Sequence, residues 1–366
     1  MSARSRQIVL IAVSVAVILL LLALILNWDR VRSYEQQVEE DVVVGPTADS
    51  PEPAATAVPP ATAPSFGPAR VTDQEPLSDR TTLYWLSTPL VTMPESADGP
   101  TVMVTLPDGY NPSRHYPVLY LLTGTAEGEA PESWYDEASV EDATTGLDAI
   151  VVALDDGWYG WYTDWTVPGD EPQAWRTFHL EQMIPWVDAT FPTITSPSGR
   201  AVAGASAGGF GAMTYAEVRP DLFGVAASFS GLLSFHIPEE RQDVLAEAYE
   251  ASGSPHALFG DGERTTQADW DAHDPSLHTE SLRGKPLWIY SGSGNDYEAS
   301  LQETSDTFAA AARTSGAHVT ERTYAELNND GAYAPAGICT EGHEWECWSM
   351  ALYDWTPELQ GYFDQR

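Results

Sequence analysis

One stretch constrains this chain more than any other. A short apolar run, Arg200-Ala-Val-Ala-Gly204, passes through Ala205-Ser206-Ala207 to Gly208 and into a helical pattern that ends at Val218. Glycine two residues before and two after the serine lets a strand and a helix pass at backbone contact, so the serine sits at the tip of a sharp strand-to-helix turn. Other short apolar runs, rich in valine, isoleucine and tyrosine, read as strands: Thr82–Thr88, Thr101–Leu106, Pro117–Leu122, Ala149–Leu154, Gly224–Ser228 and Pro286–Ser291. Helical patterns lie between and after them, over Trp175–Ala189, Gly208–Val218, Leu301–Thr314 and Trp345–Phe363. Alternation of this kind predicts an α/β fold with a mainly parallel central sheet covered by helices on both faces. The two earliest runs have no helix between them and are expected to form an antiparallel edge. No repeat of solenoid or propeller length is visible.

Ahead of this domain, Ile8 to Leu26 is a run of 19 apolar or small residues broken only by Ser14. At helical rise it is about 28 Å long, enough to span a bilayer core. Arg4 and Arg6 precede it, which favours a cytoplasmic N-terminal tail with the rest of the chain outside. The run leads into Asn27-Trp28-Asp29-Arg30 without a small-x-small site, so an uncleaved anchor is expected in preference to a signal peptide. Gly45 to Pro68 follows, with prolines at 46, 51, 53, 59, 60, 64 and 68 among alanine, threonine and serine, a tether composition. The expected organisation is therefore a tail and transmembrane helix over 1–32, a tether over 33–70 and a folded α/β domain over 71–366. That places the protein in the cell membrane by a single pass, with the domain outside the cytoplasm. Lysine and arginine number 17 against 54 acidic residues, a net charge of −37 that repels nucleic acid.

A serine hydroxyl needs a base, and the base needs an orienting acid. In a fold of this type the chain order is serine, acid, histidine. Of the 8 histidines, His343 is the best placed, in a loop just before the last helix. The acid belongs in the loop after the strand Pro286–Ser291, where Asp296 leads and Glu298, Glu303 and Asp306 compete. Oxyanion donors are expected from the amides of Ala207, at the helix start, and Thr125, after the early strand that ends at Leu122. The cluster Trp158, Tyr159, Trp161, Tyr162, Trp165 is a candidate substrate cleft, with ordinary core packing as the alternative. The 2 cysteines, Cys339 and Cys347, bracket His343; outside the cytoplasm they invite a disulfide, the alternative being two buried thiols. No metal-ligand pattern or phosphate loop is present, and no cofactor is expected.

Read together, these segments resemble the esterase D and antigen 85 mycolyltransferase group of α/β-hydrolases, over roughly Leu90 to Phe363. The similarity is carried by Tyr120-Leu-Leu-Thr-Gly124, Tyr162-Thr-Asp-Trp165, Trp175-Arg-Thr-Phe178, Ile184-Pro-Trp186, Ser228-Phe-Ser-Gly-Leu232, Ala272-His-Asp-Pro275 and Gly342-His-Glu-Trp-Glu-Cys-Trp348. The resemblance implies an α/β-hydrolase fold, Ser206 as nucleophile, His343 as base and the amides of Thr125 and Ala207 as oxyanion hole. Two departures stand out. The mycolyltransferases carry an aspartate and an arginine where this chain has Thr123 and Ala126, which weakens trehalose as acceptor. Their acid is a helical glutamate whose position falls near Ala309–Ala312 here, whereas plain esterases of the group use a loop aspartate, where Asp296 lies. The expected function is a serine esterase acting through an acyl-enzyme on an ester or glycolipid. The alternatives are acyl transfer to trehalose or another envelope sugar, and a non-catalytic envelope-binding protein. The sequence does not set the oligomeric state.

Overall fold

The computed structural model describes residues 69–93, 99–125 and 130–365, and they carry a sheet of nine strands in the order β1-β2-β3-β5-β4-β6-β7-β8-β9. The strands are β1 Arg70–Pro76, β2 Thr81–Ser87, β3 Thr101–Thr105, β4 Val118–Leu122, β5 Ile150–Leu154, β6 Arg200–Ala205, β7 Val225–Phe229, β8 Pro286–Ser291 and β9 His318–Thr323. From β5 through β4 to β9 all pairings are parallel, and β1, β2, β3 and β5 pair antiparallel. The antiparallel edge expected from the sequence is thus present. It is longer by β1, whose residues are all exposed and polar enough to leave no periodic signal.

Side chains alternate faces along a strand, and β4 shows the result. Val118, Tyr120 and Leu122 enter one core with Ala212 and Met213 of α1 (Ala207–Val218) and Phe308 and Ala312 of α3 (Asp296–Ser315). Leu119 and Leu121 enter the other core with Leu352, Trp355 and Leu359 of α4 (Trp345–Asp364). A strand buried on both faces gains about 1.5–3 kcal/mol per large aliphatic side chain, which explains why β4 reads Val-Leu-Tyr-Leu-Leu without a charged residue. The helix α2 (Pro238–Ser252) was not among the sequence-predicted helices; its sequence is strongly acidic and buries only Glu240, Val244 and Ala248.

Among the described residues no helix is long and apolar enough to cross a membrane. The expected anchor and nearly all of the expected tether lie outside the described residues.

Candidate active site

The site grows from the junction of β6 and α1. Ser206 has φ 55° and ψ −124°, a conformation that a residue with a Cβ adopts at a cost of about 1–3 kcal/mol. Its amide donates to the Phe229 carbonyl of β7 at 2.9 Å, and its carbonyl accepts from the Gly209 amide at 2.9 Å, so the surrounding backbone holds the strained residue in place. Both flanking glycines are required by space. A Cβ on Gly204 would lie 2.3 Å from the Gly208 carbonyl oxygen, and one on Gly208 would lie 2.3 Å from the Thr123 carbonyl oxygen. The segment after β4 therefore lies directly against the start of α1.

His343 sits in the loop closed by a disulfide between Cys339 and Cys347, the pairing preferred from the sequence. Its Nε2 is 2.9 Å from Ser206 Oγ and its Nδ1 is 2.9 Å from Glu298 Oε2. With the Nδ1 proton directed at the carboxylate, Nε2 is left to accept the serine proton. The carboxylate facing His343 thus belongs to Glu298, one of the competing acids, rather than to Asp296. Helix periodicity is the reason. Asn295 caps α3, accepting from the Glu298 amide at 2.8 Å, so the helix begins at Asp296, five residues before the sequence-predicted start. Residues two apart on a helix point about 200° apart around the axis. Glu298 falls on the buried stripe of Leu301, Ser305, Phe308 and Ala312 and is itself fully buried. Asp296, Glu303 and Asp306 fall on the exposed side. Asp296 and Glu303 border a cavity of about 500 Å³ with His236 and Ser300. The carboxylate at His343 is thus a helical glutamate in the first turn of α3, neither the loop aspartate nor a position near Ala309–Ala312.

A second layer fixes Glu298. Its Oε1 accepts from Ser230 Oγ at 2.6 Å and from the Gly292 amide at 2.9 Å. The Ser230 hydroxyl in turn accepts from Trp348 Nε1 at 3.1 Å and meets the Tyr324 hydroxyl at 2.6 Å. With one donor and two acceptor sites, that hydroxyl is fully used. Burial holds the Tyr324 phenol well above its usual range, so it remains a donor. The His343 ring stands edge-on between Tyr297 and Trp348, at 5.0 and 4.9 Å between centroids. The sequence analysis assigns no role to Ser230, Tyr324 or Trp348, although Ser230 and Trp348 lie in segments that carry the family resemblance. Glu298 did leave a signal, three residues before Leu301 on the apolar stripe.

Ala207 is the first residue of α1, so its amide has no intrahelical acceptor. Thr125 lies two residues beyond the Thr123 carbonyl that abuts α1; its own hydroxyl is buried and has no hydrogen-bond partner among the described residues. The aromatic cluster divides. Trp158 and Tyr159 keep partial exposure, but Trp161, Tyr162 and Trp165 are buried and do not line an open cleft. Trp161 packs on Phe210 of α1, Tyr162 on Gly211, and Trp165 joins the apolar cluster that holds Leu258 and Phe259. Trp161 Nε1 donates to Glu247 Oε2 at 2.7 Å, and desolvation beside Asp243 and Glu240 raises that carboxyl to about 8. Among the described residues the metal-type donors that gather are Cys339, Glu344 and Cys347, and the disulfide uses both sulfurs.

Comparison with known proteins agrees with the resemblance read from the sequence. The family described as "Putative esterase" matches residues 96–359. The chain is 36% identical over 204 residues to Esterase Rv1288 of Mycobacterium tuberculosis (strain ATCC 25618 / H37Rv), covering 54% of this chain and 43% of that protein. The match therefore spans less than half the length of that relative. Identity to the diacylglycerol acyltransferase/mycolyltransferase Ag85C of Mycobacterium leprae is 27% over 256 residues, 66% of this chain and 73% of that one. The crystal structure of Mycobacterium tuberculosis MPT51 (FbpC1) superposes with a TM-score of 0.56 at 22% identity, covering 75% of this chain and 97% of that chain, a likeness of fold.

Proposed function

The chain belongs to this esterase family, and from that premise we propose that it is a serine hydrolase that cleaves carboxylic esters through an acyl-enzyme on Ser206. The observation that carries the proposal is the unbroken hydrogen-bonded line from Ser206 Oγ through His343 to Glu298. His343 Nε2 takes the serine proton as Oγ attacks the ester carbonyl carbon, and the buried Glu298 carboxylate steadies the imidazolium that forms. The carbonyl oxygen becomes an oxyanion held by the amides of Ala207 and Thr125. His343 then returns its proton to the departing alkoxide, and a water activated the same way releases the acid.

Acyl transfer is the second reading, supported by the similarity to an acyltransferase over 256 residues. It differs only in that a sugar hydroxyl replaces water. Against trehalose as acceptor stands Thr123, which takes the place of the mycolyltransferase aspartate and whose hydroxyl is engaged by Tyr162 at 3.0 Å. We also propose that the apolar run at 8–26 anchors the enzyme with its catalytic domain outside the cytoplasm, where ester or glycolipid substrates of the envelope lie.

Both readings are tested by incubating the full-length protein and Ser206→Ala with a short-chain p-nitrophenyl ester, with and without trehalose, and identifying products by mass spectrometry. Serine-dependent free acid that trehalose does not divert is the expected result. Acyl-trehalose formation would establish the transferase, and turnover equal in both proteins would remove the proposal.

A further inference from the structure

Tyr162 is wedged between the two elements that carry the proposed oxyanion donors. Its ring lies on the nucleophile's helix, where a Cβ on Gly211 would come within 2.6 Å of the ring's Cγ. Gly211 is one turn beyond Ala207 in α1. Its hydroxyl reaches the other element, 3.0 Å from the Thr123 carbonyl oxygen, 3.0 Å from the Thr123 hydroxyl and 3.2 Å from the Leu154 carbonyl oxygen. Burial keeps the phenol protonated. Its single proton is therefore shared by the two carbonyls while its oxygen accepts from the Thr123 hydroxyl. From the other side, the Thr123 carbonyl is stopped by Gly208. The ring has no room to retreat, because His179 and Tyr215 lie at 5.7 and 6.1 Å between centroids and are themselves joined, Nδ1 to hydroxyl, at 2.8 Å.

The backbone is distorted to put the ring there. Tyr159, Trp161 and Tyr162 have φ of 56°, 52° and 51°, the left-handed region that bulky residues avoid, and the Trp161 amide is tied to Asp156 Oδ2 at 2.5 Å.

We propose that Tyr162 is a positioning residue for the oxyanion hole: its ring stands on α1 and its hydroxyl holds the Thr123 carbonyl, fixing the distance between the Thr125 and Ala207 amides. The inference rests on the esterase reading and on those two amides as donors. Losing the hydroxyl removes the hydrogen bond on the Thr123 carbonyl, leaving the Thr123 amide on the Leu154 carbonyl at 3.1 Å and Ser206, His343 and Glu298 in place. It should therefore weaken transition-state binding more than ground-state binding.

The test uses Tyr162→Phe in the full chain, assayed for kcat, KM and inhibition by an alkyl boronic acid, which forms a tetrahedral adduct on the serine. Expected are a loss in kcat of about 10- to 100-fold, a KM within about 2-fold of wild type, and boronate affinity weakened by the same factor as kcat/KM. Wild-type kcat, or a kcat loss with unchanged boronate affinity, would overturn the inference. Should Tyr162→Phe fail to fold, Thr123→Val decides. It removes one hydroxyl partner from the phenol, and the same pattern at smaller amplitude is expected, with wild-type behaviour overturning it. Labelling of wild-type Ser206 by a fluorophosphonate reads the underlying proposal separately. An unlabelled wild type removes both claims, whereas a labelled wild type with an unaffected Tyr162→Phe removes only this one.

Discussion

A carboxylate meets a histidine only if the helix carrying it is turned the right way, and at the start of α3 that rotation separates Glu298 from Asp296. Glu298 receives three hydrogen bonds, from His343, Ser230 and Gly292, while Asp296 is exposed. Replacing Glu298 by Gln keeps the volume but presents a possible donor to Nδ1, so kcat should fall about 10³- to 10⁴-fold with little change in KM. Asp296→Asn should stay within about 2-fold of wild type, since its exposed side chain faces away from His343 on the helix. Steady-state kinetics on the pair checks both, and the reverse order of effects would return the role to Asp296. Ser206 and His343 were legible in the sequence because one sits in a motif with its own backbone requirement and the other in the right place in chain order. The acid was not, because four acids lie within 11 residues and choosing among them needs the phase of a helix whose first turn is polar.

Close approach is what the β6–α1 junction requires. Gly208→Ala would drive a methyl against the Thr123 carbonyl, where backbone and not a flexible side chain must yield. A loss of about 1–3 kcal/mol in stability is expected, with a larger proportional loss in kcat because the displaced segment leads to Thr125. Chemical denaturation and turnover measured together check this, and unchanged kcat would contradict it. The histidine loop is tied down in a comparable way. The Gly294 amide donates to the Glu341 carbonyl at 2.9 Å, joining the loop closed by Cys339–Cys347 to the loop that leads into α3. Replacing both cysteines by serine should lower stability by about 2–3 kcal/mol and reduce kcat, as measured by urea unfolding and ester turnover. Strands buried on both faces were legible as apolar runs. β1 and α2 were not, because an exposed edge strand and a helix that buries little carry almost no periodic pattern.

Over the whole molecule, a buried acid that keeps its proton only in the folded state ties stability to pH. Burial raises the Asp155 carboxyl at the end of β5 from 3.8 to about 7, against the hydrogen bonds from Thr101 and Gly157 that pull it down. Between those values the folded chain keeps a proton that the unfolded chain has released. This group's contribution therefore falls as pH rises from about 4 to about 7 and is constant above. Asp155→Asn should show a smaller drop in Tm between about pH 5 and about pH 8 than wild type, and parallel curves would exclude the effect.

As a nucleophile activated through His343 by Glu298, Ser206 should owe its reactivity to both partners. The most direct measurement is the rate and position of fluorophosphonate labelling of the full-length wild type, His343→Ala and Glu298→Gln, with the labelled peptide sequenced by mass spectrometry. Labelling confined to Ser206, abolished in His343→Ala and slowed at least about 100-fold in Glu298→Gln, is the predicted result. Labelling at another residue, or at Ser206 with equal rates in all three proteins, would contradict it.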